Sequence, residues 1–463
     1  MAWSVASLPS PPGVSAQKLA ALAQPWTAND TDSAQAKQQQ QPEQEPDLTP
    51  HRITSFKGSG LAVLRSEGTS VEAQSSAPSR ATFSHLEFSF PLKLIHPRTS
   101  SHNASAQINA SSSSSSTSSP ARIEKTNGVA ALYIVSYGGG LVSGDRVELD
   151  IDVGPGCTLL TLTQGSTKVF KMRRPPQQQE HSSPSVLNLE WTSQSFRYLV
   201  RPKALLLVLP DPVTPYSSAR YAQTQRFDLR CAHTSHLVVL DWFTPGRVRY
   251  QQTPLSQGEA EKEGELWDFA AYSSRNEFRI AGNVVARDAL LLEHPLQQGH
   301  DRANSHQGKG NALAHAMHPF IIYGTLFLYA PSGPVRRIVD SLRAEFSKIE
   351  QRRMRRSTPA ASGSSTTAQH PTRPDPFSAE TVYGQGGVEA GQVLWSLSDL
   401  PFQSQPIPAT SSSASQPSVE KQNLTVVRLA GTSTEAVRRW LALRLSLLEE
   451  LVGPDLYKAA LVT

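Results

Sequence analysis

Hydrophobic and polar residues alternate most regularly over residues 146–153, which read RVELDIDV. Every second side chain is aliphatic and the positions between them are mostly acidic, a period of two that predicts a strand with one buried and one solvated face. A glycine-rich turn precedes this strand, and Gly154-Pro155-Gly156 separates it from a second apolar strand at 158–163. The stretch from Tyr133 to Lys171 is therefore predicted to be strand, glycine turn, strand, turn and strand.

Short β-rich runs recur along the rest of the chain and are separated by residues typical of turns. They lie at 60–64, 82–90, 91–95, 186–191, 204–209, 222–229, 237–242, 278–285 and 319–329. Many brief strands of this kind predict a mainly β fold in which sheets face each other across a core. The pattern leaves the topology open.

Two helices are also predicted. The first begins at about Gly333 and places apolar residues from Val335 to Ile349 on one stripe. The second begins at a capping box formed by Thr432 and Glu435 and runs without a break to Gly453-Pro454. Stripes of this kind are more often core contacts than grooves for a partner.

Polar, low-complexity segments interrupt these elements. The chain has 463 residues, of which 38% are hydrophobic and 34 are proline, so part of it is expected to be unfolded. Residues 1–50 carry too little apolar surface to offset the entropy of ordering, and we expect a disordered tail there. Residues 51–463 are expected to form a single domain with solvated insertions at about 99–121, 175–184, 253–263, 296–310, 357–377 and 404–419.

Charge, hydropathy and cysteine content limit the expected partners and the cellular compartment. A net charge of +5 is mild for this length, and the basic residues are mostly dispersed, so no nucleic-acid partner is expected. No apolar stretch approaches the ~20 residues that span a bilayer, and the amino terminus lacks the pattern of a leader peptide, so no membrane partner is expected. Cys157 and Cys231 cannot build a disulfide framework, and buried free thiols are expected. These features favour a cytoplasmic protein.

Motifs for common chemistries are missing from the sequence. Gly165 is followed by Ser-Thr-Lys, the wrong order for a phosphate-binding Walker loop, and a dinucleotide fingerprint would need glycine where Ser143 stands. The chain has no Gly-x-Ser-x-Gly elbow, no His-Glu-x-x-His zinc motif and no Cys-x-x-Cys pair. The sequence therefore predicts that the protein is not an enzyme.

Five blocks of sequence carry a resemblance to a known family. They are SYGGGLVSGD, TQGSTKVFK, PYSSARY, LVVLDWFTPGR and LAGTSTEAVR. In this order, spread over about residues 56–456, they resemble the successive blocks of the UreD family, called UreH in some bacteria, whose members are urease accessory proteins. The long insertions, including the one at 248–263, suggest a fungal member.

The resemblance implies a fold and a set of partners. It implies an irregular β-helix-like body with about two helices, one of them at the carboxy terminus. It also implies that the chain docks on apo-urease, recruits a UreF-type protein through its carboxy-terminal part and, through that protein, a UreG-type GTPase. The complex would deliver nickel to urease, so no tightly bound cofactor is expected, only transient Ni(II).

Charged residues in or near the matched blocks are the candidate sites. Asp145, Glu265 and Glu277 are candidate carboxylates of a transient nickel path, since a hydrated divalent cation suits weak oxygen ligands. Structural alternatives stay open: Asp145 caps its own turn, and Arg247 pairs with Asp241 or Glu265. The structural or partner-binding motif residues are Gly138, Gly139, Gly140, Gly144, Lys168, Asp241 and Arg247.

Three further interpretations of the sequence stand beside the nickel path. Five histidines fall in one polar segment, with no regular ligand spacing, and are interpreted as loop residues: His294, His300, His306, His315 and His318. One alternative function is a β-helical glycan hydrolase with Asp145 and Glu277 as acid and base, which requires carboxylates about 5 to 10 Å apart. Another is a pure scaffold that binds urease without conducting metal.

Overall fold

The computed structural model describes residues 55–67, 80–97, 128–171, 191–247, 266–293, 312–357, 393–403 and 421–462. The predicted tail at 1–50 and the predicted insertions lie outside these residues, except for Ser357, which ends a helix. The disorder of the tail, the solvation of the insertions and the single-domain assignment therefore stay predictions.

The described residues form seventeen strands and five helices, which confirms the predicted mainly β fold. The strands are β1 Lys57–Glu67, β2 Arg80–Phe88, β3 Leu92–Ile95, β4 Val129–Ser136, β5 Arg146–Val153, β6 Thr158–Leu162, β7 Thr167–Val169, β8 Thr192–Val200, β9 Leu205–Val208, β10 Val213–Pro215, β11 Arg220–Leu229, β12 His236–Phe243, β13 Ala271–Ile280, β14 Asn283–Glu293, β15 Ile322–Tyr329, β16 Val393–Gln403 and β17 Lys421–Gly431. The helices are α1 Ala312–Met317, α2 Gly333–Ser357, α3 Thr434–Arg444, α4 Leu448–Val452 and α5 Pro454–Leu461.

The chain winds between two sheets. The first sheet has the order β14-β13-β11-β8-β5-β1-β2, and the second has the order β16-β17-β15-β12-β9-β6-β4-β3, with β10 and β7 attached beside β12. Strands β1, β5, β8, β11 and β13 are parallel neighbours in the first sheet, as are β4, β6, β9 and β12 in the second. Apart from the short β7 and β10, successive strands from β4 to β13 belong to opposite sheets. This is the stacked-coil arrangement that the family resemblance implied.

Two apolar layers hold the body together. The inward faces of both sheets enclose one core, which contains Leu149, Phe196 and Val239. The other face of the second sheet packs against α2 to α5 and forms a second core. Because the second sheet is covered on both faces, its central strands are apolar at nearly every position, and all four residues of β9 are buried.

Two predicted elements differ from the structure. The predicted strand at 278–285 is a hairpin, because Ala281 and Gly282 adopt φ values of 49° and 85° and reverse the chain between β13 and β14. The predicted carboxy-terminal helix is divided at residues 445–447, and its N-cap is Ser433, whose hydroxyl accepts from the Ala436 N–H at 3.1 Å. Residues 445–447 are Leu, Ser and Leu, which do not break a helix by themselves, so the interruption is a tertiary effect.

An aromatic row in the first core gives a stability prediction. Phe227 is fully buried and stacks in register between Tyr198, at a ring separation of 4.9 Å, and Phe278, at 5.1 Å. We expect Phe227→Ala to lower the free energy of unfolding by about 3–5 kcal/mol, because it leaves a cavity and removes both stacking contacts. Urea unfolding of the purified chain measures the change.

The matched control is Leu443→Ala on α3, whose side chain is 65% exposed. Its effect should stay within about 0.5 kcal/mol. A loss of less than ~1 kcal/mol for Phe227→Ala would mean that the stacked row does not hold the coils together.

Candidate functional site

The glycine turn between β4 and β5 is built by close backbone contact. Gly138 and Gly139 adopt φ values of 73° and 77°, which favour glycine. A Cβ on Gly140 would lie 2.5 Å from the Lys168 carbonyl oxygen, so only glycine fits against this strand. The Leu141 N–H donates to that same carbonyl at 2.8 Å. The backbone of Lys168 thus supports the turn, while its side chain is exposed.

Asp145 closes the same turn. Its carboxylate accepts the Val142 N–H at 2.9 Å through Oδ2 and the Phe56 N–H at 3.0 Å through Oδ1. The preceding residue, Gly144, has a φ of 84°, and its N–H donates to Thr192 Oγ1 at 3.2 Å. Asp145 is 2% exposed and joins the start of β1 to the turn. The structural alternative that Asp145 caps its own turn is confirmed, and its place on a nickel path stays a prediction.

Glu277 lies on the outer face of the first sheet, pointing away from the core. Its carboxylate accepts from Arg279 Nε at 2.7 Å and from Arg287 Nε at 2.8 Å. Burial alone would raise the pKa of Glu277, but the hydrogen bonds from these two arginines outweigh it and hold the pKa below its usual value. The side chain is only 1% exposed because arginines cover it.

A hydrogen-bonded row of polar side chains crosses the interior of the first sheet. Tyr221 donates its hydroxyl to Gln194 Oε1 at 2.6 Å and to Gln223 Oε1 at 3.1 Å. Gln225 Nε2 donates to Asn276 Oδ1 at 3.1 Å. We call this row, together with Ser274 and Asp241, the polar seam.

Asp241 enters the seam from the opposite sheet. Its Oδ1 accepts from Gln223 Nε2 at 3.1 Å, and its Oδ2 accepts from Ser274 Oγ at 2.6 Å and Asn276 Nδ2 at 2.7 Å. Burial raises the pKa of Asp241 above its ordinary value, against the effect of these hydrogen bonds. The seam supplies the hydrogen-bond partners of Asp241, and Arg247 lies over the Tyr216 ring at 4.6 Å from its centroid, so the alternative that Arg247 pairs with Asp241 is not found among the described residues. The other alternative, a pair with Glu265, stays open because Glu265 lies outside them.

A cavity of about 50 Å³ adjoins the seam and is lined by Gln194, Gln223, Gln225, Asp241 and Asp211, among others. A volume of this size holds a few water molecules. Asp211, at the far side, forms an ion pair with Arg438 of α3, which links the cavity to the carboxy-terminal helices. The buried Tyr272 hydroxyl, near Asp241, has no hydrogen-bond partner in the described part of the chain.

The structure does not bring Asp145 and Glu277 together. Asp145 precedes β5, and Glu277 lies three strands away on β13 and further along the sheet, so roughly 20 Å separate them. That distance is too large for the acid and base of a glycan hydrolase. Glu265 lies outside the described residues.

Histidines and metal-ligating clusters add no further site. His315 and His318 are exposed, and the other three histidines of that segment, His294, His300 and His306, lie outside the described residues. Within the ranges that the structure describes, no group of three or more His, Cys, Asp or Glu side chains could hold a metal ion. Cys157 is buried, and Cys231 is only partly so; both thiols are free.

The polar seam was not predicted from the sequence, although the sequence of β11 contains a signal of it. Tyr221, Gln223 and Gln225 stand at alternate positions of β11, on the face that the buried Phe227 and Leu229 also occupy. Glutamine at inward positions of a strand indicates a polar interior. The candidate site residues were instead charged residues in or near the matched blocks, so these glutamines were not among them.

Comparison with known proteins gives a consistent family. The family described as UreD urease accessory protein matches residues 69–458 of this chain. Urease accessory protein 4 of Cryptococcus neoformans var. grubii is 35% identical over 205 residues, which make up 44% of this chain and 58% of that protein. Urease accessory protein D of Oryza sativa subsp. indica is 31% identical over 264 residues, 57% of this chain and 72% of that protein.

A further relative is the uncharacterized urease accessory protein ureD-like of Schizosaccharomyces pombe, 37% identical over 200 residues, 43% of this chain and 58% of that protein. The alignments cover less than two thirds of the length of either fungal relative. Among the described residues, no helix has the length and apolar character needed to span a membrane.

Asp241 and Glu277 have pKa shifts of opposite sign, so their neutral variants should differ in pH dependence. The raised pKa of Asp241 means that the wild type loses stability as pH rises from the unfolded value, near 3.9, through the folded one. Asp241→Asn should therefore gain in unfolding free energy relative to wild type between about pH 4 and pH 7. Urea unfolding at several pH values measures this.

Glu277 should behave in the opposite way. Its lowered pKa gives a stabilisation that is present above the unfolded value, near 4.3, and is lost as pH falls through the folded value. The destabilisation by Glu277→Gln should therefore be largest near neutral pH and shrink in acid. Parallel curves for the two variants would contradict both assignments.

Proposed function

Because the chain belongs to the UreD family of urease accessory proteins, we propose that it is a maturation factor that helps load urease with nickel. In this proposal it docks on apo-urease and recruits a UreF-type protein and, through that protein, a UreG-type GTPase. Nickel is the cargo of the complex and passes transiently along oxygen ligands. The chain performs no catalysis, and nucleotide hydrolysis belongs to the GTPase partner.

The polar seam is the observation that supports a route for nickel. Its oxygen and amide groups, with the carboxylates of Asp241 and Asp211 at the adjoining cavity, resemble the weak ligands among which a hydrated divalent cation exchanges. The unpartnered Tyr272 hydroxyl leaves one buried oxygen free for water or a passing ion. Burying these polar groups costs free energy unless each one has a hydrogen-bond partner, a condition that apolar side chains at the same positions would not impose.

The carboxylates proposed from the sequence differ in how readily they could bind a passing nickel ion. Asp145 and Glu277 stay in the proposal as carboxylates at the glycine turn and on the outer face, and Glu265 stays as a third. The oxygens of Asp145 and Glu277 already accept hydrogen bonds from backbone amides and arginines, respectively. The oxygens of Asp241 also accept hydrogen bonds, but its carboxylate borders the cavity, so the most informative variant is at Asp241.

The carboxy-terminal helices are the proposed contact for the UreF-type protein. Leu443 on α3 is 65% exposed and Val462 after α5 is 58% exposed, which leaves apolar surface beyond the second core. Arg438, on the same helix as Leu443, pairs with Asp211 at the cavity, so this contact would adjoin the proposed route. Two free thiols fit a reducing compartment, and the cytoplasm is the proposed location.

A pure scaffold is the second candidate function. The described residues contain no group of three or more side chains that could hold a metal ion. A protein that only held urease and its partners together would not need such a group. The two candidates differ in a measurable way. A scaffold would tolerate loss of the seam's charge, and a conduit would not.

We expect Asp241→Asn to leave the complex assembled and to lower the nickel content of urease on the order of tenfold, because it keeps the shape of the side chain and removes its charge. Co-purification with apo-urease and the UreF-type protein, followed by metal analysis of the urease, measures both effects. Asp340→Asn on α2, where the side chain is 53% exposed, is the matched control and should leave nickel loading unchanged.

The same assay separates the remaining acids and the scaffold. Loss of nickel with an intact complex in Asp145→Asn or Glu277→Gln would keep those residues on the route, and normal loading would remove them. Full nickel loading in the double variant Asp211→Asn/Asp241→Asn would refute the conduit and favour the scaffold.

A further inference from the structure

The outer face of the first sheet carries charges in two unequal halves. On β1, β5 and β8 the acids and cations are matched: Lys57 with Glu148, Arg197 with Asp150, and Arg65 and Arg201 with Asp152. On β11, β13 and β14 the outward side chains include three carboxylates, Asp228, Glu277 and Glu293, and six arginines. These arginines are Arg220, Arg226, Arg230, Arg275, Arg279 and Arg287, and we call this half the arginine face.

Several guanidinium groups of the arginine face lack strong acceptors. Arg226 lies 3.9 Å from Glu277 Oε1, an oxygen that already accepts from Arg279. Arg230 is 55% exposed, and its Nε lies 3.7 Å from Asp228, too far for a hydrogen bond. The face therefore retains donors and positive charge at Arg226 and Arg230.

The register places like charges side by side. Arg226 lies directly opposite Arg197 on β8, so two arginines are neighbours across a parallel pair. Like charges at directly opposed positions destabilise a sheet, although Arg197 is already paired with Asp150. A negatively charged group bound over Arg226 would stabilise this arrangement. A groove of about 320 Å³ runs beside these residues and is lined by three arginines, Arg197, Arg226 and Arg230, and by three carboxylates, Asp150, Asp152 and Asp228.

We propose that the arginine face is a docking surface for a partner protein that presents a row of Asp and Glu side chains. Arginine forms forked hydrogen bonds with carboxylates, and the sheet holds these arginines in a fixed lattice, which reduces the entropy lost on binding.

A protein partner fits this face better than a nucleic acid. Asp228 stands inside the arginine cluster and, by its negative charge, disfavours a continuous phosphate backbone. Discrete carboxylates of a partner can instead bind the arginines around it. The buried Glu277 holds Arg279 and Arg287 in position and in this way organises the surface.

A defined acidic probe tests the proposal without urease, so failure here leaves the proposed maturation role untouched. The full chain is titrated into a fluorescein-labelled peptide of alternating Glu and Ser, and binding is followed by anisotropy at low and high salt. We expect salt-dependent binding that Arg226→Glu/Arg230→Glu weakens roughly tenfold or more. The control Arg336→Glu/Arg337→Glu reverses two exposed arginines on α2 and should not change it.

Two further arms keep the result decisive. Since Arg226→Glu would stand beside Glu277, the milder Arg226→Gln/Arg230→Gln is tested in parallel, and thermal unfolding shows that it folds. Affinity that is unchanged in the folded Gln variant, or no binding by the wild type, would overturn the proposal. Tighter binding to a single-stranded oligonucleotide of equal charge would also overturn it, in favour of a nucleic-acid surface.

Discussion

Parallel, in-register pairing of the central strands is the constraint on which the rest of the structure depends. Because each coil adds a strand beside the previous one without a shift, side chains at matching positions stack into rows. An aromatic row at Tyr198, Phe227 and Phe278 stabilises one level of the interior. Two residues along β11, the row becomes polar, and its members can bond to each other because the register brings them together.

The same register gives the first sheet two different surfaces. Along β13, Ser274, Asn276 and Phe278 point inward while Arg275, Glu277 and Arg279 point outward. The interior seam therefore lies directly behind the arginine face, separated from it by one layer of backbone. From the sequence, Glu277 was interpreted as part of an interior path, but it lies on the outer surface. A shift of one residue along a strand moves a side chain to the opposite face of the sheet.

Local patterns predicted the parts of the structure that local physics decides. The alternation in β5, the glycine turn and the stripe of α2 appear where the sequence placed them, since strand period, positive φ and helical period are properties of short segments. The break after Arg444 has no signal in the local sequence and was missed. The hairpin at Ala281 was missed although Gly282 is a local turn signal, because glycine favours the positive φ that reverses the chain. Asp145 was chosen for its position beside a turn, and Asp241 was one of two alternative partners of Arg247. The seam to which Asp241 in fact belongs joins residues from four strands, and no short segment contains it.

The coverage of the second sheet by α2 to α5 has a consequence for biosynthesis. Strands β9 and β12 leave the ribosome well before residues 333–461, which supply the helices that cover their outer apolar face. During translation this apolar face stays uncovered until the helices have been made, and a chain that terminates early would expose it permanently. Until the last helix has been made, this exposed apolar surface makes the nascent chain prone to aggregate.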